Sequence, residues 1–268
     1  MLRCGDSTLL GSMALSLQEE PRESPLKLRL GVLAKSMSRL GYGAAALVAA
    51  GAICHSALAR KGITIGTHIS RCAGIPDRSF EDLPADIAAL SESLFPVLDK
   101  AAGEKMEAAI LAAKAEGDSV GGVLETAIVG LPAGVGEPWF DTFESVLSHM
   151  LFSVPAVKGV EFGDGFAGTR KHGSERNDTI IDREGRTHTN NEGGINGGIT
   201  NGNDIVLRVA IKPTPSIALG QRTYNFEDDK VTELTIGGRH DACIARRAAV
   251  VVEAVTTVAL ADLHLRTR

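Results

Sequence analysis

The sequence predicts an α+β layered fold, on three observations. Helix-like and strand-like patterns interleave from residue 44 to the last helix. The connections between residues 163 and 204 are glycine-rich and too long for simple βαβ winding. A hydrophobic content of 44% over 268 residues is enough for a sizeable core.

Residues 1–38 mix charge with Pro21 and Pro25 and hold no sustained period, so they read as weakly specified, with room for a short strand near the start. Alanine-rich residues 44–59 favour a helix, with Gly62 just beyond its end. Ile63 to Ile69 alternates as a strand does. From Pro84 to Glu116 the pattern is helical, Pro96 opening a second segment that turns Leu98, Ala102, Met106, Ile110 and Ala113 toward a core, and Gly117 stopping it. Strands are expected over Val120 to Val129 and Val157 to Phe162, with an amphipathic helix over Pro138 to Phe152 between them. Loops then run to Asp204. Ile205 to Lys212 alternates Ile205, Leu207, Val209 and Ile211 against Val206, Arg208, Ala210 and Lys212, which suits a strand with one well-buried face. A final helix spans Ile244 to Leu265 and is covered on most sides.

Composition removes several function classes. Net charge is only −5 and aromatics are 4%, so the basic stripe and stacking platform of a nucleic-acid binder are missing. Leu40 to Leu58 is uncharged but interrupted by Gly41, Gly43, Gly51 and His55, which favours a buried core helix over a membrane span. Neither nucleic acid nor membrane is expected as a partner, and no targeting segment is read at the N-terminus. Cys4, Cys54, Cys72 and Cys243 are widely spaced, without metal-ligand pattern, and read as reduced thiols in a cytoplasmic protein.

Chemistry concentrates in the last third. Gly193, Gly194, Gly197, Gly198 and Gly202, flanked by asparagines, can bring backbone N–H groups against a phosphate or a flat ring, or can equally form a flexible surface loop. Lys212-Pro213-Thr214-Pro215-Ser216 sets a cation and two hydroxyls on a backbone restricted by prolines, either a phosphate clamp or a turn closing the strand. Arg239-His240-Asp241 joins a fixed anion binder, a group titrating near neutrality and a carboxylate; Asp241 could instead cap the final helix. Gly117-Asp118-Ser119-Val120-Gly121 matches G-x-S-x-G, but helix precedes and strand follows, the reverse of a nucleophile elbow.

These segments together resemble the chorismate synthase family. The likeness runs through Asp118 to Gly122, Leu131 to Pro138, Val157 to Phe166, Gly173 to Asp178, the Gly193 to Gly202 loop, Lys212 to Ser216 and Gly238 to Cys243, covering Gly51 to the C-terminus. The resemblance implies a β-α-β sandwich with helices between antiparallel sheets, a domain over residues 41–268 and a shortened, divergent segment over residues 1–40. It implies an anti-1,4-elimination of phosphate from 5-enolpyruvylshikimate 3-phosphate, giving chorismate for aromatic amino acid biosynthesis. Reduced FMN is required without net redox change, NADP is associated with the family, and the assembly is a homotetramer. Carried over by position, Pro155, Ala156, Gly197, Lys212, Pro213, Thr214, Pro215, Ser216 and Arg239 contact the flavin, and Asp241 assists proton movement at its N5. The sequence departs from the family at Gly5-Asp6-Ser7-Thr8-Leu9, where the family has a catalytic histidine at the position of Thr8. Glu19 to Ala45 replaces the family's arginine-rich stretch and second histidine. His172 and His188 could stand in for the missing histidines, but their loop context favours solvent-exposed structural roles. Three expectations stand: an active enzyme, a catalytically impaired remnant that keeps flavin or subunit contacts, or an unrelated phosphate-ester binding module built on the Gly193 loop and Lys212.

Overall fold

The computed structural model describes residues 25–238 and 240–266, with side chains from Tyr42 onward. The chain divides into two units, residues 1–45 and 46–268, and the boundary falls inside the first helix, α1 (Pro25–Ala59). That helix begins well before residue 44. Pro25 opens it, at the position where the fixed φ of proline suits a helix. The segment containing Thr8 lies outside the described residues.

Within the second unit α1 ends where Gly62 takes φ +80, and the N–H groups of Lys61, Gly62 and Ile63 return to the carbonyls of Leu58 and Ala59. The remaining elements are β1 (Thr64–Cys72), β2 (Ile75–Pro76), α2 (Leu83–Leu90), α3 (Lys100–Ala115), β3 (Gly122–Val129), a 3-10 turn (Trp139–Asp141), α4 (Phe143–Phe152), β4 (Val157–Phe162), the single turns α5 (Gly165–Gly168) and α6 (Gly173–Arg176), the hairpin β5 (Ile195–Asn196) and β6 (Ile199–Thr200), β7 (Ile205–Ile211), the hairpin β8 (Gln221–Asn225) and β9 (Lys230–Leu234), and α7 (Ala245–Arg266).

The helical stretch after Pro84 is broken over residues 91–99, and Pro96 does not open its second half. The Pro96 carbonyl accepts the Ile69 N–H at 2.7 Å, while Asp99 caps α3 by accepting the Ala101 N–H at 2.8 Å. Thr142 likewise divides the helix expected over Pro138 to Phe152 and caps α4 through the Ser145 N–H.

Strands β1, β2, β3, β4 and β7 form one antiparallel sheet in the order β2-β1-β3-β7-β4. With interleaved helices it makes the α+β class expected. Register separates its two faces. Ile65, Thr67 and Ile69 stand beside Leu124, Thr126 and Ile128, then Ile205, Leu207 and Val209, and this apolar face packs on α7 and α4. The opposite face carries α2, whose Ile87 lies so close that a Cβ on Gly66 would meet it at 2.8 Å.

The same face holds one polar row, His68–Glu125–Arg208–Glu161, one residue from each of four adjacent strands. His68 is fully buried; its Nδ1 lies 2.9 Å from Asp77 and its Nε2 3.0 Å from Glu125. Arg208 donates to Glu125 at 3.1 Å and to Glu161 at 2.6 Å. Burial opposes the charge on His68, but the hydrogen bonds of Asp77 and Glu125 outweigh it and raise its pKa. Both carboxylates are lowered: burial opposes this, and their bonds to His68 overcome it. Asp77 also accepts the N–H groups of Leu98 and Asp99, tying the row to the start of α3.

The expectation of a buried helix over Leu40 to Leu58 is corrected. A Cβ on Gly51 would fall 2.6 Å from that of Ala254 in α7, and Leu58 is buried, but Tyr42 and Ile53 are exposed. Among the described residues two stretches are long and apolar enough to cross a membrane by length and composition. These are Tyr42–Ala59, 11% buried, and Ala245–Arg266, 56% buried as the central core helix.

Candidate functional site

At one end of the sheet β3 begins, β7 ends, β4 begins and α7 begins, and there most of the predicted site residues converge. The Lys212 N–H donates to the Ala156 carbonyl at 3.0 Å, which sets Pro155 and Ala156 beside the Lys212 segment. Ala156 itself takes φ +75, a left-handed conformation rare for a residue with a Cβ. The Ser119 hydroxyl donates to the Thr214 carbonyl at 2.7 Å, and the next residue, Val120, donates its N–H to the Ala242 carbonyl at 2.8 Å. Adjacent residues of the strand entry thus hold Thr214 on one side and Asp241-Ala242 on the other. Ser119 is thereby a backbone anchor, consistent with rejecting a nucleophile elbow.

Glycine at 121 is required here, since a Cβ would lie 2.6 Å from the Ile211 carbonyl oxygen and 2.9 Å from Pro213 Cδ. Gly117, at φ +75, accepts the N–H groups of Ala218 and Leu219 and closes the loop that carries Thr214 to Ser216.

Asp241 accepts the Cys243 N–H at 3.3 Å through Oδ1, but Cys243 precedes α7, which begins at Ala245, so this bond closes a local turn and does not cap the helix. Its Oδ2 lies 3.1 Å from Arg247 Nη1, close enough for an ion pair, yet the atom is buried without an aligned hydrogen bond. Thr214 Oγ1 is also buried without a partner, and these are two of three such side-chain atoms among the described residues, the third being Thr256 Oγ1. Buried polar atoms are nearly always paired, so Thr214 Oγ1, with no partner, and Asp241 Oδ2, held only by the Arg247 charge, both have bonds left to make to a ligand. Beside Asp241 is a cavity of about 490 Å³ lined by Ile110, Leu111, Lys114, His240, Ala242 and Arg247. Lys114 and Arg247 are cations and two walls are apolar, which suits an anionic ligand with a flat ring.

Lys114 and Arg247 were not singled out in the sequence. Lys114 lies four residues after Ile110, so the same helical face leads to it. Arg247 stands in the first turn of α7, six residues after Asp241, and the bend of the chain into the helix pairs the two.

Gly197 is placed elsewhere. It sits at the tip of the β5–β6 hairpin, where the Phe143 N–H bonds the Gly198 carbonyl, while a Cβ on Gly194 would meet the Asp204 carbonyl just before β7. Lys212 follows the other end of that seven-residue strand, roughly 20 Å away at the rise of a β-strand. The glycine loop is a packed element: Gly193 would strike Gly163 and Gly198 would strike Thr142, whereas Gly197 faces open space at φ +60. His172 and His188 are exposed, in loops at that same far end. Arg239 lies outside the described residues.

The family model described as chorismate synthase matches residues 36–265. Among curated relatives, the chorismate synthase of Chitinophaga pinensis is 46% identical over 219 residues, covering 82% of this chain and 57% of that protein. The chorismate synthase of Archaeoglobus fulgidus is 44% identical over 223 residues, covering 82% of this chain and 62% of that protein. A crystal structure of a chorismate synthase superposes with a TM-score of 0.68 at 31% identity, covering 83% of this chain and 63% of that one. The chain therefore spans about three fifths of the length of these relatives.

Proposed function

The chain belongs to the chorismate synthase family, and from that premise we propose that it binds reduced FMN at the Asp241–Thr214 constellation and converts 5-enolpyruvylshikimate 3-phosphate to chorismate by anti-1,4-elimination of phosphate. The reading extends to a cytoplasmic homotetramer whose family-like domain covers residues 41–268, with residues 1–40 divergent. The observation that carries it is the Asp241 carboxylate on the wall of a cavity that also presents Lys114 and Arg247, with Thr214 Oγ1 buried and unpartnered in the adjoining segment.

Reduced FMN, when bound, supplies electron density as the C–O bond to phosphate breaks. The chain's own residues do the rest. Thr214 Oγ1 orients the ligand through the hydrogen bond it lacks. Lys212, exposed at the strand end, and Arg239 offer positive charge to phosphate oxygens, and Lys114 and Arg247 hold the field of the cavity positive. Asp241 Oδ2 holds or moves the proton leaving the ring, its charge kept near by Arg247. Pro155 and Ala156 give a rigid edge to the site. Gly197, at the other end of β7, is not part of this constellation.

Titration of the purified protein with FMN under reducing, anaerobic conditions tests the site. Thr214→Val keeps the shape and removes the hydroxyl, and should weaken binding about tenfold, the worth of one buried hydrogen bond. Unchanged affinity would remove Thr214 from the site. Binding without turnover would identify a remnant that retains the flavin contacts.

A further inference from the structure

Cys72 and Cys243, 171 residues apart in sequence, meet with their sulfurs 3.7 Å apart, both buried. Cys72 is the last residue of β1, fixed in the ladder opposite Ile75 and Gly122. Cys243 stands two residues before α7, whose first-turn N–H groups, those of Ala245 and Arg246, favour negative charge on its sulfur. The Cys72 hydrogen bond, followed by those two backbone donors, lowers the Cys243 thiol to about 7, with burial and the Asp241 charge opposing. Cys72 is pushed up, first by its bond to Cys243 and then by burial, and so remains the protonated partner. A thiolate beside a thiol is the arrangement that reacts with a peroxide and resolves to a disulfide.

We propose that Cys72 and Cys243 are a modification site, closed to a reversible disulfide by hydrogen peroxide and reopened by a dithiol. The Cys243 thiolate attacks one peroxide oxygen; an S–O bond forms, the O–O bond breaks, and the leaving hydroxide takes up a proton as water. The Cys72 sulfur then attacks the Cys243 sulfur, the S–O bond breaks, and the Cys72 proton leaves with the hydroxyl as a second water. Two thiols and one peroxide give one disulfide and two waters.

Closure has a geometric consequence. The sulfurs must approach to about 2.05 Å, a contraction of about 1.6 Å from 3.7 Å. Cys72 is held by the sheet, so the movement falls on residues 240–244, which carry Asp241. The bond from Val120 N–H to the Ala242 carbonyl and that from Cys243 N–H to Asp241 both lie in this segment. Oxidation therefore disturbs the carboxylate, and the effect on turnover, resting on the function proposed above, is a loss of about 100-fold, the scale of an ångström-sized misplacement.

The test treats the folded, full chain carrying Cys4→Ser and Cys54→Ser with hydrogen peroxide, then digests it without reductant. The expected result is a peptide pair joined through Cys72 and Cys243 that dithiothreitol separates, with faster amide exchange at Val120 in the oxidised protein. Absence of the joined pair at a peroxide dose that leaves the protein folded overturns the proposal. A joined pair with unchanged Val120 exchange overturns the coupling to Asp241. Neither readout uses flavin or turnover, so failure of the functional reading would leave the thiol result standing by itself.

Discussion

Replacing His68 by leucine removes the one cation shared by two buried carboxylates, and the structure sets how much that costs. Asp77 keeps the N–H groups of Leu98, Asp99 and Arg78, and Glu125 keeps Arg208. Neither is wholly abandoned, so the loss is about 3–5 kcal/mol, the range for removing one partner of a buried pair, not twice that. The pH dependence follows from the shifts. The raised pKa of His68 gives stability that is fully present below its unfolded value of 6.5 and is lost as pH rises through the folded pKa. The lowered pKa values of Asp77 and Glu125 give stability present above their unfolded values of 3.8 and 4.5 and lost as pH falls through the folded ones. The difference between wild type and His68→Leu should therefore be largest between roughly pH 5 and 6.5 and narrow on both sides. Urea unfolding followed by circular dichroism over pH 4 to 8 measures it. A loss under about 1 kcal/mol, or a difference that is flat with pH, would refute a charged His68 holding the sheet to α3.

Asp241→Asn should lower the rate of chorismate formation by about 10²–10⁴-fold, the worth of one proton-transferring group, in an anaerobic assay with reduced FMN; a rate within a factor of two of wild type contradicts its role. Gly121→Ala should push the Ile211 to Pro213 backbone away from β3, costing about 1–3 kcal/mol by urea unfolding and weakening FMN binding. Lys114→Ala should weaken FMN binding at low salt and less at high salt, because its contribution is screened charge; an equal loss at both would point to packing instead.

Elements whose two sides face different surroundings were legible in the sequence. The alternation of Ile205 to Ile211 matches its burial residue by residue, and Val157–Phe162 begins and ends as expected. Gly62 and Gly117 stop helices at positive φ. The β8–β9 hairpin was missed because neither of its faces is consistently buried, so Gln221–Asn225 and Lys230–Leu234 carry no contrast to read. The exposed flank of α1 was misjudged because an alanine-rich helix has the same composition whether or not anything covers it; the contact runs along one narrow stripe, Leu47, Gly51, His55 and Leu58. The site residues Lys212 to Ser216 and Asp241 stood out as types, but their closeness depends on Ser119 and Val120 bonding to Thr214 and Ala242. The His68–Glu125–Arg208–Glu161 row needs the register of four strands far apart in sequence, and no local pattern contains that.

The most direct measurement incubates the purified, folded chain with reduced FMN and 5-enolpyruvylshikimate 3-phosphate without oxygen and follows chorismate and phosphate together. Equal amounts of both are expected, produced only when reduced FMN is present. Absence of either product, beside an active full-length relative, would contradict the proposed activity.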